Sequence, residues 1–179
     1  MLAHNRCMLS SEEDPELLGT LPLPRPGLTA QEVNRELAGW LPAVPATQPP
    51  PADMPPLPLM VLDSLADAPE SVYTMRNCGE MAPYGLALVG EAHLLDAVRS
   101  LLSNRLIEVE SEYVIVGDRL SARRLPGDPG TTDGDLQRYW FRMTAAGETT
   151  WEAAGEVLTR YADSHPLTPR VIRRDDRQE

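Results

Sequence analysis

The fold turns on residues 90–163. They begin GEAHLLDAVRSLLSN (90–104), pass through RLIEVESEYVIV (105–116) and a tip LPGDPGTTDGD (125–135), and return as LQRYWFRM (136–143). They close with TAAGETTWEAAGEVLTRYA (144–162). In the first piece Leu94, Leu95, Val98, Leu101 and Leu102 recur at helical spacing, so one stripe of a 3.6-residue helix is apolar. After Arg105 the period changes. Ile107, Val109, Tyr113 and Ile115 alternate with Glu108, Glu110 and Glu112, which predicts a strand with a solvated acidic face. Gly117-Asp118 interrupts it, and the tip is rich enough in glycine, proline and aspartate to predict a mobile loop rather than a tight hairpin. A second strand over 136–143 places Trp140 and Phe141 on opposite faces. Thr144 is positioned to cap a closing helix, in which Trp151, Ala154, Leu158 and Tyr161 form a core stripe. The expectation is one compact unit around Leu95, Val98, Trp151 and Leu158.

Upstream, residues 57–68 (LPLMVLDSLADA) predict a helix carrying Leu59, Val61, Leu62 and Leu65, ended by Asp67 and Pro69. A second short helix is expected over 70–81, with Val72, Met75 and Cys78 inward. An apolar connection, 82–90, is longer than the turn of a plain helix-turn-helix. From 42 to 58 eight prolines fall in seventeen residues, the composition of a semi-rigid polyproline spacer or of a ligand for an aromatic groove. Before it, Thr29-Ala30-Gln31-Glu32 has capping-box spacing and opens a short amphipathic helix over 30–40 whose apolar side offers Val33, Leu37 and Trp40. That side either packs on the main domain or docks a protein partner. Residues 1–28 are expected to be a disordered or extended lead, 29–41 the short helix, 42–56 the linker, 57–163 the domain and 164–179 a tail.

The 179 residues suffice for one domain with tails. No apolar run approaches the ~18 residues of a membrane span. The opening MLAHNRCMLSSEEDPE turns acidic without the apolar core of a signal peptide, so a cytoplasmic location is expected. Cys7 and Cys78 stand in unlike contexts and are read as free thiols. Net charge is -11, and all 16 basic residues are arginine, a bias that GC-rich coding accounts for. Such an acidic balance opposes non-specific affinity for nucleic acid or anionic membrane, because phosphate contacts need clustered positive charge.

No chemistry declares itself. His4, His93 and His165 are far apart and neither cysteine has a spaced ligand partner, so no metal site is expected. The glycine, serine and histidine signatures of nucleotide-binding loops, α/β-hydrolases and zinc proteases are missing. The row Glu108, Glu110, Glu112 resembles paired catalytic carboxylates less than it resembles a solvated sheet face. A non-enzymatic protein without cofactor is expected.

RYWFRMTAAGETTWEAA (138–154) resembles the wing strand and following helix of MarR- and PadR-like bacterial regulators, and LLDAVRSLLSNRLIEV (94–109) resembles their recognition helix running into the wing. The resemblance spans roughly 57–163. It implies a mainly α winged helix-turn-helix with a two- or three-stranded β wing, here preceded by an extended proline-rich arm. It further implies transcription regulation, with double-stranded DNA read by the outward face of helix 91–104. That face comprises Glu91, His93, Asp96, Ala97, Ser100 and Ser103, with Arg99 beside them, and Arg119, Arg123, Arg124 and Arg138 would serve as an arginine-bearing wing. A homodimer through the closing helix goes with that reading. Against it, residues 57–163 hold nine arginines and 17 Asp and Glu, a balance of -8. The alternative expectation is an acidic winged-helix adaptor that binds a protein and not DNA.

Overall fold

The computed structural model describes residues 17–23, 25–37, 44–76, 86–125 and 128–164. The elements run β1 (Leu17–Pro22), α1 (Ala30–Leu37), α2 (Leu57–Ser64), β2 (Glu70–Ser71), α3 (Val72–Arg76) and a 3-10 turn (Leu86–Leu88). They continue with α4 (Glu91–Ser103), β3 (Ile107–Val116), β4 (Arg119–Arg123), α5 (Asp133–Leu136), β5 (Tyr139–Met143), α6 (Ala145–Ala153) and α7 (Gly155–Ser164). Tail 165–179, and with it His165, lies outside the described residues, as do His4, Cys7, Trp40 and Cys78.

The β content exceeds the expected two- or three-stranded wing. Five antiparallel strands form one sheet in the order β1-β4-β3-β5-β2, which makes the fold mixed α/β rather than mainly α. Three segments account for the difference, the shortest being Glu70–Ser71 against β5. Arg119–Arg123 turns back on β3 as a hairpin, Glu112 facing Arg123 and Val116 facing Arg119. Leu17–Pro22, part of the expected lead, pairs with β4 as an edge strand. A proline is tolerated at the end of an edge strand, where no ladder N–H is needed.

Sheet alternation divides the core in two. On one face Ile107, Tyr139 and Phe141 pack with Met60, Val61 and Leu62 of α2, Leu94, Leu95, Val98 and Leu101 of α4, and Leu158 and Tyr161 of α7. On the other, Leu120 and Tyr113 meet Leu28 and Val33 beneath α1. Helix α1 is therefore docked. Its capping box forms as the spacing requires, Glu32 Oε2 accepting from Thr29 N at 2.8 Å and Thr29 Oγ1 accepting from Glu32 N at 3.2 Å. Val33, expected as a partner contact, is fully buried between α1 and the sheet and holds the fold together instead; the Leu37 side chain and Trp40 lie outside the described residues.

Several element boundaries differ from expectation for local reasons. Helix α2 stops at Ser64, and Glu70–Ser71, expected to be helical, pairs with Phe141 and Trp140. Ser71 and Thr74 then bond reciprocally, Thr74 N to Ser71 Oγ at 3.2 Å and Ser71 N to Thr74 Oγ1 at 2.7 Å, so the helix begins only after a cap. The closing helix is two helices. Thr144 caps the first through Gly147 N at 3.2 Å, but α6 ends at Ala153, with Ala154 as its C-cap, and α7 restarts at Gly155. Trp151 is half-buried rather than fully interior, its indole N–H donating to Asp63 Oδ1 at 2.9 Å and tying α6 to α2. Within the tip, Thr132 and Asp135 form a second capping box that starts α5.

Strand β3 carries a bulge. The register against β5 shifts between Val109, opposite Phe141, and Ser111, opposite Trp140, leaving Glu110 as the extra residue. Beyond it the strand's inward and outward positions exchange. Glu112, expected on a solvated face, turns in opposite Tyr139 and is 4% exposed, while Tyr113 turns to the α1 side and meets Trp140 edge-on at 5.5 Å.

Gly147 lies where α6 crosses the turn after α4, and a Cβ there would collide with the Leu106 carbonyl oxygen, a backbone atom that cannot swing aside. Gly147→Ala is expected to lower unfolding free energy by about 2–3 kcal/mol, measurable by urea denaturation, whereas Thr149→Ala at an exposed α6 position changes it little.

Candidate functional site

Helix α4 forms over the expected residues and buries the expected stripe, so the side chains proposed to read DNA can be placed directly. Ala97 is 6% exposed and belongs to the core, which removes it from the outward face. Ser100 and Ser103 are exposed. His93 is half-buried, its Nε2 3.3 Å from the carbonyl of Thr47. Arg99 is fully engaged: Nη1 contacts Asp96 Oδ1 at 2.6 Å, Nε donates to the Thr131 carbonyl at 3.1 Å, and Nη2 pairs with Asp133.

The N-terminus of α4 is closed by the proline-rich run. That segment does not stand off as a spacer; it folds over as a strap. Gly90 N donates to the Gln48 carbonyl at 2.8 Å and Ala92 N to the Ala46 carbonyl at 2.9 Å. Gly90, the N-cap, has no side chain to cap with, and a Cβ on it would overlap the Ala46 carbonyl. Two of the N–H groups that a helix start leaves unsatisfied are thus bonded by backbone oxygens. Further along the strap Pro55 is buried and Met54 packs against the main core, which carries the chain straight into α2.

The arginines of the expected wing do not converge on an open surface. Arg123 Nη2 meets Glu112 Oε1 at 2.6 Å. Arg138 lies 3.7 Å from the other oxygen of Glu112 and 2.8 Å from Asp135 Oδ1. Glu112 is therefore held between two guanidinium groups. The bulge at Glu110 puts it there; without the extra residue a glutamate at this register would face α1. Arg119 and Arg124 are exposed, and no described carboxylate pairs with either. Outside the expected wing, Arg105 and Arg160 are likewise exposed without a described carboxylate partner.

A polar seam that the sequence did not announce joins α1 to the start of α4. Asn34, fully buried, donates to the Gln137 carbonyl at 3.1 Å and accepts from Ser71 Oγ at 3.3 Å. Gln31 bonds Gln137, which bonds Glu91. Arg35 donates to Tyr73 Oη at 3.1 Å and lies 5.3 Å from the centre of its ring. Beside them Arg76 is 5% exposed, and its Nε and Nη2 have no hydrogen-bond partner among the described residues. Burial pulls that guanidinium below its ordinary pKa, with Glu91 opposing the shift. An asparagine inside the apolar turn of α1 was the one sequence signal for this seam, since buried amides need several partners.

Among the described residues no three histidine, cysteine, aspartate or glutamate side chains gather where a metal ion could sit, and no described helix is long and apolar enough to cross a membrane. Comparison with protein-family models, with curated proteins and with solved structures finds no match.

Both capping carboxylates titrate below their ordinary values. For Glu32 the cause is first its bond from the Thr29 backbone and then that from the Thr29 hydroxyl; for Asp135 it is first the Thr132 hydroxyl, ahead of Arg138. Because the folded pKa lies below the unfolded one, the stability each adds is fully present above the unfolded carboxylate pKa. It is lost as pH falls through the folded value. An NMR titration of the carboxyl carbons should find both groups low in the wild type, with Asp135 moving upward, toward the ordinary range, in Thr132→Ala.

Proposed function

We propose that the chain is a non-enzymatic, acidic winged-helix module that binds a protein partner, and that α4 is not a DNA-reading helix. The winged-helix assignment is supported by the order α2–β2–α3–α4–β3–β5, with β2 paired to β5 and β5 to β3. Strands β1 and β4 and helices α1 and α5 are additions to that plan.

One observation carries the choice of partner: the strap over the start of α4. A reading helix enters the major groove with its N-terminal residues against base edges. Here Ala46, Thr47 and Gln48 lie across that end, and Gly90, Ala92 and His93 are bonded to them. Electrostatics agree. Three of the five arginines expected to contact DNA hold carboxylates within the fold, and the exposed pair Arg119 and Arg124 is far short of the phosphate contacts that drive affinity in a chain of net charge -11. An available face runs along α6 and α7, where Glu148, Glu152, Glu156 and Asp163 are exposed with a single arginine, Arg160, among them, and Val157 is 46% exposed. An acidic face around an apolar residue fits a basic protein segment.

The experiment is fluorescence anisotropy with a labelled random duplex of roughly 30 base pairs at about 50 mM salt, the condition that most favours phosphate binding. No shift is expected. A salt-sensitive shift that Arg119→Ala with Arg124→Ala weakens would return the assignment to a DNA-binding regulator. In parallel, crosslinking and mass spectrometry of the copurified complex should map the partner to α6–α7 and lose it in Glu148→Arg with Glu152→Arg.

A further inference from the structure

Between the last turn of α4, the start of β3 and the loop after β4 lies an open cleft of about 480 Å3. That volume falls within the range of roughly 300–1,000 Å3 typical of small-molecule sites. Its floor is apolar: Leu102, Val109 and Leu125 are half-buried, and Ile107 belongs to the core. Its rim is acidic, with Glu108 on β3 and Asp128 on the loop. The loop is fastened to α4 by Arg99, through the Thr131 carbonyl and Asp133, so the wall opposite β3 is fixed at the α4 end.

We propose that this cleft is a binding site for a small amphipathic cation, an apolar ring or chain bearing a protonated amine. The apolar body lies on Leu102, Val109 and Leu125, and the ammonium group faces Asp128, with Glu108 as the second carboxylate. Charge decides among ligands of equal shape. No described residue lining the cleft carries a positive charge: Arg142 is held on Glu108 at 2.5 Å and Arg99 on its own loop and helix partners, while Arg105 and Arg124, next to the lining in sequence, are exposed and outside it. An anion of the same skeleton therefore meets two carboxylates and no cation among the described lining residues. A neutral analogue gains the same apolar burial without the ionic contact. Glu108, although paired, keeps further lone pairs, since an ionised carboxylate accepts up to about four hydrogen bonds.

The test uses the full chain and three probes of similar shape: 2-phenylethylamine, 2-phenylethanol and 3-phenylpropanoate. Backbone amide shifts of Leu102, Val109 and Thr131 report occupancy of the cleft by NMR titration. The amine should bind about fivefold more tightly than the alcohol, the scale of an exposed ion pair, and the carboxylate should not saturate. Asp128→Asn should narrow the gap between amine and alcohol to about twofold. Ser103→Trp, at an exposed position on the mouth, should abolish binding of both while the melting temperature stays unchanged. Equal affinity for amine and carboxylate overturns the proposal. So does amine binding that survives Ser103→Trp in a folded protein, or the absence of any shift at those three amides.

Discussion

Two backbone hydrogen bonds, from Gly90 N to the Gln48 carbonyl and from Ala92 N to the Ala46 carbonyl, govern how the rest of the molecule can be used. They exist because a helix start has N–H groups with no partner of their own, because Gly90 lacks the Cβ that would hold the strap away, and because prolines stiffen the segment that supplies the oxygens. Once they form, the strap leads Pro55 and Met54 into the core and α2 onto α4. Helix α4 becomes a scaffold with one face buried. Its apolar stripe holds the core, and its start, where a reading helix would meet a groove, is covered by another part of the same chain.

The electrostatics follow a similar course. In a chain with 27 acids and 16 arginines, an arginine meets a carboxylate before it meets a phosphate. The bulge in β3 turns Glu112 inward between Arg123 and Arg138, and the α5 cap brings Asp135 to Arg138 and Asp133 to Arg99. Buried or half-buried pairs of this kind specify register more than they add net stability. Here they fix the hairpin of β3 and β4 against the return strand, and so shape the loop that walls the acidic cleft.

Much of this was legible in the sequence, for identifiable reasons. Leu94, Leu95, Val98 and Leu101 mark α4 because helical spacing over thirteen residues has few competitors. Thr29 with Glu32, and Thr144, mark helix starts because a hydroxyl three residues ahead of a backbone N–H has one obvious use. What escaped was non-local. Strand β1 is hidden among prolines and is defined only by its pairing with β4. The bulge at Glu110 is an insertion against a partner strand, invisible when β3 is read alone, and it reverses the face of Glu112. Polyproline composition predicts stiffness, not where the stiff segment lies. The same limit applies to function: Arg99, Arg123 and Arg138 were visible as cations, and their carboxylate partners were not.

The account rests most heavily on the closed end of α4, and amide hydrogen exchange at Gly90 and Ala92 in the full chain examines it directly. Free N–H groups at a helix start exchange at nearly the rate of an unfolded chain, whereas bonded ones are slowed by the cost of opening. Protection at both amides within about tenfold of that at Val98, in the middle of the helix, is the predicted result. Exchange at the unprotected rate, with Val98 still slow, would mean that the strap is off and the start of α4 is open, and the case against DNA reading would fail.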